Sequence, residues 1–401
     1  MKCVLLCIGL MLMLCLAACL IACLIATEVV TEGASRKYIR GANMAALAPA
    51  TAESPVALGG ARAKAVSPSD CAWVTLVMRG AAYVPGALAL AASLRGTRAA
   101  RVCMITEDVP KEARDLLAAA FDRVVPVPVI SFRTCPMRTE KQNAIYGSWI
   151  ADGYTKWNCL ALSEYARVCF LDADTVVVGN CDSLFELPAP AGIFSSPWGY
   201  PYSERGAGLP NPYWHGGPPA HGSPIRDIDA IEGLRNSFTA FGTTMLLTPG
   251  EGLLASYEAY CAAQLEERGC VGERGCYNGA DEQTIVGFFL SLAAGDAADS
   301  ARATWHHIDQ RYGDIPWHPR WQEAAPAKGR GAKKASAAVK LSGRILHYHG
   351  RDKIWTLSPD KWPDAVIWWK YAVAAVAANP AAEAVFDYEY LVQARAKLAP
   401  P

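Results

Sequence analysis

Between Trp73 and Val127, short apolar runs alternate with segments of helical period. Trp73–Met78 reads as a strand and Pro85–Leu94 as a helix with proline in its first turn. A strand over Val102–Thr106, a helix over Lys111–Phe121 and a strand over Arg123–Val127 follow. Such alternation predicts a parallel sheet with right-handed crossovers. Further on, the pattern predicts a helix over Thr155–Tyr165, a buried strand over Val168–Leu171 and a β-branched strand over Thr175–Val178. Strands are also expected at Phe194–Pro197, Phe241–Leu247 and Arg344–Gly350. Helices are expected at Gly252–Glu267 and Thr284–Leu292, the latter capped by Asn278–Gln283.

The flanks have a different character. Cys3–Ala26 is an unbroken apolar run, long enough to cross a bilayer and too long for most cleaved signals. It is read as a signal-anchor helix (1–27), followed by a flexible Ala/Gly/Ser/Thr stem (28–70). The folded domain is expected over 71–375, with an Ala/Lys/Gly-rich insertion at 323–340 and an Ala-rich tail from 376 to 401. Lys2 precedes the apolar run and Arg36, Lys37 and Arg40 follow it, so charge does not decide orientation. Trp198–Arg235, rich in Pro, Gly and Tyr and carrying His215 and His221, reads as a long functional loop.

The net charge of zero gives no bulk attraction to nucleic acid. Five of the 14 cysteines lie in the apolar run, and no C-x-x-C pair suggests zinc. Cys103, Cys159 and Cys169 fall in apolar runs and are expected as buried thiols. Cys261, Cys270 and Cys276 lie in a polar stretch where one disulfide is open.

The candidate chemistry begins where the Val168–Leu171 strand ends, in Asp172-Ala173-Asp174. Carboxylates at the end of a buried strand are costly unless they meet a cation. A hard divalent metal shared with a diphosphate is the simplest partner. There is no G-x-G-x-x-G after the first strand and no P-loop, so dinucleotide oxidoreductases and P-loop NTPases lose weight.

Five stretches occur in order over nearly three hundred residues. They are Val74-Thr75-Leu76 with Tyr83 and Gly86-Ala87-Leu88; Thr155-Lys156 with Cys159; Phe170 to Thr175 with Asp182 and Leu184-Phe185; Ala280 to Gln283; and His347-Tyr348-His349-Gly350-Arg351-Asp352-Lys353 with Trp355. With these the chain resembles the glycogenin-like glycosyltransferases of family 8, and especially the branch found in baculoviruses and other large DNA viruses. The resemblance implies a GT-A type, Rossmann-like α/β fold with a mixed, mainly parallel sheet. It implies retaining transfer of a hexose from a UDP-sugar, UDP-glucose or a related donor, with Mn²⁺ as cofactor and Mg²⁺ as an alternative.

Residue by residue, the resemblance makes Asp172, Asp174 and His347 the metal ligands. His349 is a rival, set aside because the family's histidine stands three residues before the glycine. Leu76, Val77, Met78 and Tyr83 match the uracil and ribose cradle. Gly350 and Lys353 match the diphosphate contacts, and Ala173, Thr243 and Glu282 fall on the donor side. Lys156 and Asp281 match residues needed for transfer, with Asp281 orienting the sugar and not acting as nucleophile. One departure stands out: where glycogenin has an asparagine in an FNSG turn, this chain has Gly242 in Phe241-Gly242-Thr243-Thr244. The sugar preference is therefore open, and the acceptor (glycan, protein or lipid) is not transferable.

The resulting expectation is a single-pass type II membrane enzyme of the Golgi or ER with its domain in the lumen; a homodimer is left open. The alternatives are a cytosol-facing self-glucosylating or inositol-type sugar transferase, and a catalytically silent nucleotide-sugar or glycan-binding protein. A two-metal phosphohydrolase lacks the further ligands it needs.

Overall fold

The computed structural model describes residues 66–137, 139–194, 220–225, 241–273, 279–295, 304–313, 344–350, 352–361 and 365–399. The expected anchor, the expected stem up to residue 65 and the 323–340 insertion lie outside the described residues, as do His215, Cys276 and most of the 198–235 loop. Among the described residues no helix is long and apolar enough to cross a membrane.

The first half follows the sequence pattern. β1 (Cys71–Val77), α1 (Val84–Ser93), β2 (Ala100–Ile105), α2 (Lys111–Ala120) and β3 (Arg123–Pro126) alternate as expected. β1 pairs in parallel with β2 on one side and with β4 (Arg167–Leu171) on the other, and β2 pairs in parallel with β3. Beyond β4 the direction reverses. β7 (Phe241–Leu247) is antiparallel to β4, β6 (Ala191–Ile193) is antiparallel to β7, and β8 (His306–His307) is parallel to β6. The order β3-β2-β1-β4-β7-β6-β8 is a mixed, mainly parallel sheet, as expected.

A second, two-stranded ladder matters more for the site. β5 (Thr175–Val178) leaves the DAD turn and pairs antiparallel with β9 (Arg344–His347), with Thr175 opposite His347. The runs before and after the two aspartates thus belong to different sheets. The turn between them is held by Thr175, whose N–H and Oγ1 both donate to the Asp172 carbonyl, at 3.1 and 2.8 Å.

Two expectations are corrected. The segment read as a helix over Thr155–Tyr165 is a 3₁₀ helix over Ile150–Ala161. It is buried on nearly every side, so no apolar face gave its period away. Side chains pin it instead: Thr155 Oγ1 accepts from Ile130 N–H at 3.0 Å, and Asn158 Nδ2 donates to the Pro128 carbonyl at 3.0 Å. The strand expected at Phe194–Pro197 lies, beyond Phe194, outside the described residues; β6 stands just before it and pairs with β7 and β8. The helix expected from Thr284 begins at Ala280 (α5, Ala280–Gly295), which places Asp281 and Glu282 inside its first turn.

The helix expected at Gly252–Glu267 is α4 (Leu253–Arg268), closed by Gly269 in the left-handed region at φ 71°. The disulfide joins Cys270 to Cys135, not to Cys261, which is a buried free thiol. Cys103, Cys159 and Cys169 are buried and free, as expected.

The core lies on both faces of the main sheet. On one face α1 meets α6 (Ala365–Ala378), with Trp368 and Trp369 fully buried among Leu88, Ala91 and Val376. α7 (Tyr388–Leu398) adds Leu391 and Ala394 to the same cluster. On the other face Trp157, Phe170, Tyr257 and Trp305 form the centre of a second cluster.

Candidate active site

The site stands where β4 ends. Asp172 N–H donates to the Thr243 carbonyl at 3.3 Å, and Tyr348 N–H donates to the Asp174 carbonyl at 2.9 Å. These backbone bonds tie the DAD turn to β7 on one side and to β9 on the other. Beneath the turn α1 approaches closely. A Cβ on Gly86 would lie 2.7 Å from the Trp355 ring and would collide with the Ala173 carbonyl. Glycine is needed there for lack of room, not for an unusual φ.

Asp172, Asp174 and His347 converge, with a ligand atom from each lying within 4.8 Å of the others. His347 Nε2 is 3.3 Å from Asp174 Oδ1 and 3.8 Å from Asp172 Oδ2. Its Nδ1 lies 2.8 Å from Thr243 Oγ1, which in turn is 3.3 Å from Asp172 Oδ2. His349 lies outside this triad, and burial followed by the neighbouring His347 pushes its imidazole down to about 3.

Two lysines enter from opposite sides. Lys353 Nζ is 2.6 Å from Asp174 Oδ2 and 5.1 Å from the centre of the Tyr83 ring. Lys156 Nζ is 2.8 Å from Asp281 Oδ2 and 3.8 Å from Asp172 Oδ1. Burial alone would raise the Asp174 carboxyl, but Lys353 and His347 outweigh it and hold the group far below the carboxylate range. Asp172 shifts the other way: its burial is only partly offset by Lys156 and His347, so its pKa is raised. Burial would likewise depress both lysines, yet Asp281 and Asp172 raise Lys156, and Asp174 raises Lys353.

Asp281 is 2% exposed. A Cβ at Gly153 would come within 3.1 Å of its carboxyl carbon, and Gly279 leaves similar room on another side. Trp157 Nε1 donates to its backbone carbonyl at 3.2 Å. Glu282, half-buried, receives the Gly242 N–H. Burial, reinforced by Asp281 and Asp172 and opposed by Lys156, pushes its carboxyl up to about 8.

Four carboxyl groups (Asp172, Asp174, Asp281 and Glu282) thus face two lysines in one recess. Two carboxylate oxygens and one imidazole nitrogen within reach of one centre suit Mn²⁺ or Mg²⁺, and a divalent ion would offset the surplus of negative charge. The residues fit such an ion.

The remaining expected donor residues divide by exposure. Leu76 and Met78 are half-buried, whereas Val77 is fully buried in the core beside α1. The alternation of strand faces separates them, so the Val77 side chain belongs to packing and not to a nucleotide cradle. Ala173 is also a core side chain, leaving its backbone to face the site. Tyr83 packs edge-on against Trp355 at 5.5 Å. Gly350 adopts φ 117°, and a Cβ there would meet nothing within 4 Å, so its backbone conformation and not crowding calls for glycine.

Sequence reasoning missed the buttressing glycines Gly153 and Gly279 and the strained Arg79. Arg79 follows β1 at φ 61° and bonds the Ser148 carbonyl at 2.7 Å, tying that strand end to the segment before Lys156. His221, from the long loop, accepts from Asp309 N–H at 3.0 Å and stacks on Tyr312.

No protein-family model matches the chain. It is 30% identical over 136 residues to an uncharacterized protein of Acanthamoeba polyphaga mimivirus, covering 33% of this chain and 46% of that protein. It is 35% identical over 120 residues to glycogenin-1 of Homo sapiens, covering 29% of this chain and 33% of the glycogenin. It is 30% identical over 123 residues to galactinol synthase 7 of Arabidopsis thaliana, covering 30% and 35%. The matched stretches span between a third and a half of these relatives. The chain is thus a relative of the glycogenin-like glycosyltransferases of family 8, with a protein of a large DNA virus among its other relatives.

Proposed function

We propose that the chain is a retaining glycosyltransferase that moves a sugar from a UDP-sugar to an acceptor, with Mn²⁺ as its metal. The observation that carries this reading is the convergence of Asp172, Asp174 and His347 beside Lys353, with Lys156 and Asp281 on the same recess. Similarity to glycogenin-1 supports a nucleotide-sugar donor.

Asp172 and Asp174 would hold the ion through carboxylate oxygens, and His347 through Nε2. When bound, the ion stabilises negative charge on a departing diphosphate. Lys353 and the Gly350 backbone bind that diphosphate and fix its direction. Leu76, Met78 and Tyr83 line the nucleoside side. Lys156 adds positive charge between Asp172 and Asp281 and keeps the Asp281 carboxylate turned inward. That carboxylate, already paired and nearly inaccessible, is suited to orient sugar hydroxyls and not to attack carbon. Retention then rests on attack from the leaving-group side, with the recess excluding water.

The apolar run Cys3–Ala26 is read as the anchor of a luminal domain. The Cys135–Cys270 disulfide favours an oxidising compartment. Protease protection of the domain in sealed microsomes supports that placement, and digestion without detergent overturns it.

The test of the activity is UDP release from a panel of UDP-sugars, with Mn²⁺ or with EDTA, beside Asp174→Ala. Metal-dependent release lost in the variant is the expected result. Absence of metal-dependent UDP binding would remove the assignment of Asp172, Asp174 and His347.

A further inference from the structure

The 3₁₀ helix that carries Lys156 starts without a side-chain cap. Its cap residue, Trp149, is exposed and makes no such bond, and the short helix Glu140–Tyr146 before it buries none of its residues. Phe132 N–H donates to the Ala151 carbonyl at 3.1 Å. A second tether comes from Arg79, at the end of β1. Its Nη1 donates to the Ser148 carbonyl at 2.7 Å and stands 3.5 Å from Asp152 Oδ2. These two acceptors flank the helix start, one just before the cap and one in the first turn. Arg79 reaches them from an unusual backbone. It takes φ 61°, and no other non-glycine residue among the described residues has positive φ. Gly80 follows at φ 82°. Glycine or asparagine would occupy such a turn with less strain, so the turn itself does not call for arginine. The side chain and its two partners do.

We propose that Arg79 is a positioning residue for transfer: it fixes the start of the Lys156 helix to the end of β1 and thereby sets where the Lys156 ammonium stands beside Asp281 and Asp172. The inference rests on the transfer role given to Lys156 above. The tethered end lies against the same carboxylate that Lys156 meets. A Cβ on Gly153 would come within 3.1 Å of the Asp281 carboxyl carbon, and Ile150 Cδ1 is 3.2 Å from where a Gly279 Cβ would stand. One turn further on, Lys156 Nζ is 2.8 Å from Asp281 Oδ2 and 3.8 Å from Asp172 Oδ1. A slide of the helix start therefore moves the ammonium relative to both carboxylates. The charge-assisted bond to the Ser148 carbonyl is the stronger part of the tether. The Arg79–Asp152 pair, long and with Arg79 half-exposed, adds little to stability. Arg79 thus acts on geometry more than on the strength of the fold.

Arg79→Gly separates placement from stability, because glycine keeps the turn without strain and removes both side-chain bonds. Its melting temperature is expected to stay near that of the wild type. In metal-free protein, acetic anhydride is expected to label Lys156 severalfold faster in the variant, read by mass spectrometry, and Lys353 at the wild-type rate. The kcat for UDP release, from the donor that the wild type uses, is expected to fall on the order of 10–100-fold. The dissociation constant of UDP with Mn²⁺ is expected to change little. A merely structural role would lower the melting temperature and speed labelling at both lysines, and that result would overturn the proposal. So would wild-type labelling of Lys156 with wild-type kcat. A loss confined to UDP affinity would overturn it too, by putting Arg79 on the nucleotide itself. Absence of Mn²⁺-dependent UDP binding in the wild type would instead remove the donor reading, and the transfer role of Lys156 with it, whatever the labelling shows.

Discussion

Thr243 Oγ1 lies 2.8 Å from His347 Nδ1, and this contact turns Nε2 of the ring toward Asp172 and Asp174. Residues that orient a ligand through its second ring nitrogen commonly change metal affinity about 10–100-fold when removed. Thr243→Ala is expected to weaken Mn²⁺ binding within that range, while Thr243→Ser retains it. Titration of tryptophan fluorescence with Mn²⁺ checks both, and an unchanged affinity in Thr243→Ala would show that the ring is held by β9 alone.

Stability should depend on pH from two opposed groups. Glu282 is raised from 4.5 to about 8, so the fold holds a proton that the unfolded chain releases. Its contribution is complete below about pH 4.5 and is lost as pH rises toward 8, by up to about 1.4 kcal/mol per pH unit. Asp174 is lowered, so its contribution is present above the unfolded carboxylate pKa and is lost on acidification. Melting curves of metal-free protein between pH 5 and 9 are expected to show a decline from pH 5 to about pH 8 that levels off above it and that Glu282→Gln flattens. An identical decline in the variant would mean that another group carries it.

The Cys135–Cys270 link closes a loop across 135 residues and joins the segment before α3 (Glu140–Tyr146) to the one before α5. Its loss is expected to cost about 2–5 kcal/mol. Cys135→Ser should therefore lower the melting temperature, and so should reduction of the wild type. The six free cysteines among the described residues are all buried. Alkylation of their thiols is expected only after denaturation.

Trp368 is fully buried against Trp355, Trp369 and Phe386, and its removal would open a cavity beneath α1. Trp368→Ala is expected to cost about 3–5 kcal/mol in denaturant unfolding. Truncation after residue 364 should leave no cooperative fold. A truncated chain that still unfolds cooperatively would show that α6 and α7 are dispensable.

Much of this was legible from sequence where local pattern and local structure coincide. The β1-α1-β2-α2-β3 alternation was readable because each strand is a short apolar run, α2 carries its own period and α1 is marked by Pro85 in its first turn. Asp172, Asp174 and His347 were readable because the surrounding stretches occur together in one known family. What escaped notice lies between distant segments. Nothing at Gly153 or Gly279 announces that both make room for Asp281, and nothing at Glu282 announces that it fills the space beside Gly242. The Lys156 segment was misassigned because burial on nearly all sides erases an amphipathic signature. Resemblance is also blind to which face of β1 a side chain takes, and the Val77 side chain takes the core face.

The register of the small ladder has a consequence for biosynthesis. His347 meets the DAD turn only when β9 pairs with β5, across more than 160 residues of intervening chain. A ribosome-bound chain that has emitted every strand of the main sheet still lacks the third ligand. An ion held by all three residues would therefore be captured only late in maturation, after the distant halves of the chain have met.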